Sequence, residues 1–102
     1  MQSLTLTFPA RMPLTHPVHV GVVASGDLEI LLTPVTDSDS ATIDLRTSVD
    51  GFDDLWRRVL DRHLADHAFA ARYEINDFGA TPGMVALRLA QVADHAATGC
   101  LR

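Results

Sequence analysis

The chain contains no lysine. Its 8 basic residues are all arginines, set against 13 Asp and Glu, for a net charge of −5. An acidic chain with scattered arginines lacks the basic footprint needed to bind nucleic acid or an anionic membrane. The same charge suits contact with basic patches on protein partners. Cysteine is nearly missing too. Cys100 stands alone, so no internal disulfide can form and a cysteine-rich zinc site is excluded. No run approaches the ~18 apolar residues that a membrane-spanning helix requires. The first residues, M-Q-S-L-T-L-T-F-P, lack the basic start and unbroken apolar core of a signal peptide. A cytoplasmic protein is the expectation. At 102 residues and 47% apolar content, the chain is expected to form a single globular domain over residues 1–102. That length has room for one two-layer core and no separate catalytic domain.

What is present is mostly alternation. Leu4, Leu6 and Phe8 alternate with threonines, which predicts a half-buried strand. A second strand is expected over about His16 to Ala24, with Val18, Val20, Val22 and Ala24 on one face. A third is expected over about Asp27 to Thr33. Ser25 and Gly26 join them as a two-residue loop of the type I′ kind. A fourth strand alternates Ile43, Leu45, Thr47 and Val49 against polar partners. The period changes at Asp50, which is positioned to cap a helix carrying Phe52, Leu55, Trp56, Val59, Leu60 and Leu64 on one stripe. Phe69, Ala71, Tyr73 and Ile75 mark a fifth strand. Thr81-Pro82 is a helix start, for a helix reaching about His95 with Val85, Leu89 and Val92 facing inward. The order β-β-β-β-α-β-α predicts an α+β two-layer sandwich, a mostly antiparallel sheet of about five strands covered by two helices.

Few constellations carry chemistry. His63 and His67 have helical i, i+4 spacing, but the sequence between them lacks the glutamate of a zincin, so a polar helix end accounts for them. D-F-G at 77–79 shares its letters with the magnesium triplet of protein kinases. The phosphate loop and strand lysine of a kinase are missing, and a strand-to-helix turn explains it. Asp27 and Glu29 share a strand face and read as solvated edge charges rather than an acid–base pair. Ser25 lacks the G-x-S-x-G setting of a hydrolase nucleophile. Local chemistry favours an ordinary turn serine, yet a hairpin tip also suits a covalent handle. There Gly26 clears the approach, and Asp27 is placed to orient the hydroxyl or meet a modifying enzyme.

Two long stretches, G-V-V-A-S-G-D-L-E-I-L-L at 21–32 and I-N-D-F-G-A-T-P-G-M-V-A-L-R-L at 75–89, resemble the delta subunit family of malonate decarboxylase, the acyl carriers of that complex. T-S-V-D-G at 47–51 falls between them in the family's order, and most of the chain is covered. The resemblance implies a phosphoribosyl-dephospho-coenzyme A group joined by a phosphodiester to the serine of S-G-D, here Ser25, with Gly26 and Asp27 flanking it. It implies a terminal thiol that is first acetylated. A transferase subunit then exchanges acetyl for malonyl, and a decarboxylase pair of subunits releases carbon dioxide. A prosthetic-group transferase is the further implied partner. The carrier itself is then not an enzyme and needs no metal. Three alternatives remain open on the residues: a citrate lyase-type carrier, an unmodified interaction domain with a plain turn serine, or a small stand-alone enzyme using Asp27 or the histidines. The D-F-G-A-T-P-G turn is either a docking element through Asp77 or simply structural.

Overall fold

The computed structural model describes residues 2–36 and 38–99; Cys100 lies outside the described residues. Eight elements follow in order: β1 (Gln2–Pro9), β2 (Met12–Pro13), β3 (Val18–Gly21), β4 (Leu28–Pro34), β5 (Ser40–Thr47), α1 (Asp53–Asp66), β6 (Phe69–Asp77) and α2 (Pro82–Gly99). The sheet runs β1-β5-β6-β4-β3, with β2 added alongside β6. β5 and β6 are parallel neighbours, joined by a crossover through α1, while the β1–β5, β4–β6 and β3–β4 pairs are antiparallel.

The registers show why the alternation works. Leu6, Ile43, Tyr73, Leu32 and Val18 form one row across all five long strands, and every one is buried. The row one residue along is Thr5, Asp44, Glu74, Leu31 and His19, on the opposite face and exposed or half-buried. Trp56, Leu60 and Leu64 of α1 and Val85, Leu89, Val92 and Ala96 of α2 join the buried rows in one core. This is the expected α+β sandwich: one sheet face under two helices, the other polar and open. Among the described residues no helix is long and apolar enough to cross a membrane.

Local expectations change at several points. A sixth strand, β2, pairs two residues with the start of β6; two residues beside prolines carry no period to read. β3 stops at Gly21 instead of continuing to Ala24, so Val22 and Val23 are exposed at 54% and 57%. The cause is Gly21 itself, whose φ of +78° turns the chain where a Cβ would collide with the Leu28 carbonyl. The two-residue hairpin is therefore a six-residue loop, 22–27. At α1, Phe52 and not Asp50 occupies the cap position, with no side-chain cap bond. Gly51 at φ +89° redirects the chain after Asp50, and Asp53 and Asp54 in the first turn complement the helix dipole instead. Phe52 and Leu55 are exposed, so the buried stripe narrows to Trp56, Leu60 and Leu64. The start of α2 is as expected: Thr81 Oγ1 accepts from the Met84 N–H at 3.2 Å.

Candidate functional site

Ser25 and Gly26 are the central residues of a β-turn closed by the Asp27 N–H donating to the Ala24 carbonyl at 3.1 Å. Gly26 has φ +80°, the left-handed value that the third residue of a type I′ or type II turn requires. Nothing lies within 4 Å of the position its Cβ would occupy. Glycine is there for backbone conformation, and the space beside it is open. Ser25 is exposed, and its hydroxyl makes no hydrogen bond among the described residues.

The turn is held from beneath. The Gly26 N–H donates to the Phe78 carbonyl at 2.7 Å, and the Phe78 N–H donates to the Asp27 carbonyl at 3.0 Å. The two stretches that stand out in the sequence, 52 residues apart between Gly26 and Phe78, are thus bonded backbone to backbone. The 47–51 stretch joins them. The Ser48 N–H donates to the Asp77 carbonyl at 3.0 Å, and Thr47 Oγ1 donates to Asp77 Oδ2 at 2.8 Å. Asp77 Oδ1 accepts from the Ala80 N–H at 3.0 Å, and Thr47 Oγ1 accepts from the Val49 N–H at 3.1 Å. Among the described residues, Thr47 and Asp77 are the two buried polar or charged side chains. The Asp77 carboxylate is an internal strut, 4% exposed, so a direct docking role for it has no surface to act through.

Asp27 and Glu29 do not work as a pair. Glu29 turns to the open sheet face, where it accepts from Asn76 Nδ2 at 3.3 Å and lies 3.0 Å from His19 Nε2. Asp27 faces α2. Its Oδ1 accepts from the Leu28 N–H at 2.7 Å and from Arg88 Nε at 3.1 Å, and its Oδ2 accepts from Arg88 Nη2 at 2.7 Å. The hydrogen bonds from Arg88, then from Leu28, hold the Asp27 carboxyl below the usual carboxylate range. Asp27 does not reach the Ser25 hydroxyl. Arg88 was not singled out in the sequence. It lies 61 positions from Asp27, in the middle of a helix, and no local pattern marks it. The His63 and His67 rings meet at the end of α1, tilted by 38° with centroids 5.2 Å apart. Among the described residues, no group of three or more His, Cys, Asp or Glu is placed to hold a metal.

Chemically, the arrangement offers a primary alcohol on a rigid, open turn, with no acid or base bonded to it.

The chain matches the family described as malonate decarboxylase delta subunit (MdcD) over residues 15–96. Among its relatives is the malonate decarboxylase acyl carrier protein of Pseudomonas fluorescens (strain SBW25), 44% identical over 89% of this chain and 92% of that one. Another is the same-named protein of Klebsiella pneumoniae, 40% identical over 95% and 98%. The fold is also similar to a chain of the crystal structure of a Pseudomonas malonate decarboxylase hetero-tetramer in complex with malonate. There the TM-score is 0.84 at 41% identity, covering 94% of this chain and 99% of that chain.

Proposed function

The chain belongs to the malonate decarboxylase delta subunit family, and from that premise we propose that it is an acyl carrier modified at Ser25 with phosphoribosyl-dephospho-coenzyme A. One observation supports this above the others. Ser25 stands exposed at the centre of a turn bonded to a second turn, with an unengaged hydroxyl and open space at the neighbouring glycine. A bulky substituent on Oγ meets no obstacle at Gly26 and breaks no hydrogen bond of the fold.

When attached, the group supplies a terminal thiol that holds acetyl or malonyl as a thioester. The protein supplies attachment, reach and docking. Ser25 anchors the arm, and the 24–27 turn fixes where it leaves the fold. Tethering raises the effective concentration of the thioester at each partner's site. The partners in this reading are the transferase and decarboxylase subunits and, before them, the prosthetic-group transferase, all cytoplasmic. The net charge of −5 favours encounter with basic surfaces on such partners.

The test is turnover. Complex assembled with Ser25→Ala is expected to lose malonate decarboxylation while the variant folds and assembles normally. Wild-type turnover by the variant complex would move the attachment point elsewhere.

A further inference from the structure

Every polar atom of Asp27 is engaged. Its N–H closes the Ser25 turn on Ala24, and its carbonyl accepts from Phe78. One carboxylate oxygen accepts from Leu28 and Arg88, the other from Arg88 alone. Arg88 comes from α2, which packs on β3 and β4, and its Nη1 donates to Gln91 Oε1 at 3.0 Å one helical turn on. The guanidinium reaches the turn past Gly21, where an added Cβ would lie 3.2 Å from Arg88 Nε. The side chains of Arg88 and Asp27 are only 20% and 16% exposed. A bidentate guanidinium–carboxylate pair withdrawn from water is stronger and more directional than a surface ion pair. Apart from its two backbone bonds to Phe78, loop 22–27 is anchored to the rest of the fold by this fork, and its valines are exposed.

We propose that the Arg88–Asp27 fork is the positioning device for modification of Ser25: it ties the residue after the turn to α2, so that the hydroxyl is presented to the prosthetic-group transferase in one orientation. The inference rests on Ser25 being the attachment point. Neither Arg88 nor Asp27 touches the hydroxyl; both act through the turn.

The chemistry explains the need. Ser25 Oγ gives its proton to a base of the transferase and forms a bond to phosphorus of a donor bearing an activated ribosyl phosphate. The bond from that phosphorus to its leaving phosphate breaks, and the leaving group departs with the electron pair. In-line displacement requires the attacking oxygen within about 3–3.5 Å of phosphorus and aligned, and a misplacement of about 1 Å costs on the order of 100-fold in rate.

The experiment measures transfer to the full-length apo chain by intact mass, against carrier concentration. It uses purified transferase and the activated precursor made by its synthase. Wild type is compared with Asp27→Asn, Arg88→Gln, Arg88→Lys and the Asp27→Asn/Arg88→Gln double variant. The expected result is a kcat of transfer about 10-fold or more lower for each of Asp27→Asn and Arg88→Gln. The double variant should be no slower than the worse single, because the two residues form one unit. Arg88→Lys should recover part of the rate, since it keeps the charge but loses the fork. Amide exchange should quicken at Gly26 and Asp27, whose N–H groups bond to Phe78 and Ala24, and stay unchanged in β4 and β6, a local signature that general destabilisation does not give. If Arg88→Gln fails to fold, Asp27→Asn decides the matter on the same two readouts, with the helix untouched. Wild-type rates in the single variants, on a chain that is itself modified at Ser25, overturn the positioning role and leave the attachment site standing. Multiplicative losses in the double variant overturn the fork as a unit. No mass gain on wild type, with the transferase active on another carrier of the family, overturns the attachment site and the positioning role with it.

Discussion

At the scale of single residues, conformation and reactivity are separable around the turn. Gly26 is required by its φ of +80° and not by lack of space; a side chain there carries about 1–2 kcal/mol of left-handed strain. Gly21 is required by both, because a Cβ would overlap the Leu28 carbonyl. Ser25 is required by neither, so its replacement by alanine should change stability by no more than about 0.5 kcal/mol. Titration adds a second residue-scale effect. Burial, then the neighbouring His67, pushes His63 down from 6.5 to about 4. Between those values the unfolded chain takes up a proton that the folded chain refuses, so stability is full above pH 6.5 and falls as pH drops toward 4. His63→Gln should flatten that slope in urea titrations run from pH 7 to pH 4. An equal slope in both proteins would show that another group governs acid sensitivity. Asp27 acts lower on the scale: its contribution persists above the ordinary carboxylate range and is lost as pH falls through its lowered pKa. At this scale the positive φ of Gly26 and the cap at Thr81 were legible, because each is fixed by its immediate neighbours. Arg88 was not, because its partner is distant in sequence and meets it only once the sheet has formed.

At the scale of elements, period decided what could be read. β5 and β6 lie close to where the alternation puts them, with Ala41, Ile43, Leu45 and Thr47 buried on one and Phe69, Ala71, Tyr73 and Ile75 on the other, but β5 ends at Thr47, leaving Val49 outside it and 37% exposed, and Ala70 is buried as well. β3 was read too long because Val22 and Val23 continue an apolar run. Apolarity does not reveal the backbone turn at Gly21 that ends the strand. The start of α1 was read at Asp50 because aspartate is a good cap, but Gly51 at φ +89° places that residue outside the helix. The D-F-G-A-T-P-G segment was legible as a turn and not as a strut. Removing the strut should be costly. Asp77→Ala leaves the buried Thr47 hydroxyl and the Ala80 N–H without their acceptor, and a lost buried acceptor of this kind costs about 1–3 kcal/mol. Urea unfolding checks it; an unchanged midpoint would mean that Asp77 holds nothing together.

At the scale of the whole molecule, the sandwich class followed from the order of elements, but the order of strands did not. β5 and β6 are neighbours because α1 carries the chain over the sheet, and this brings the ends of β5 and β6 and the start of β4 to one edge of the fold. Three motifs scattered over positions 21 to 89 thereby become one structure, with Ser25 at its exposed tip and the Asp27–Arg88 fork and the Asp77 strut behind it. That convergence is the physical content of the family resemblance. Each motif bonds to another, and the exposed Ser25 hydroxyl is the group proposed to carry the chemistry. The convergence sits at one end of a 102-residue chain whose core is one layer of helices on one sheet.

The most direct test of that account is the intact mass of the chain after co-expression with its prosthetic-group transferase and precursor synthase, beside Ser25→Ala, with the modified peptide fragmented to locate the added group. The account predicts a gain equal to one phosphoribosyl-dephospho-coenzyme A on Ser25 of the wild type and none on the variant. A gain of the same size on Ser25→Ala, or none on either protein with an active transferase, would contradict it.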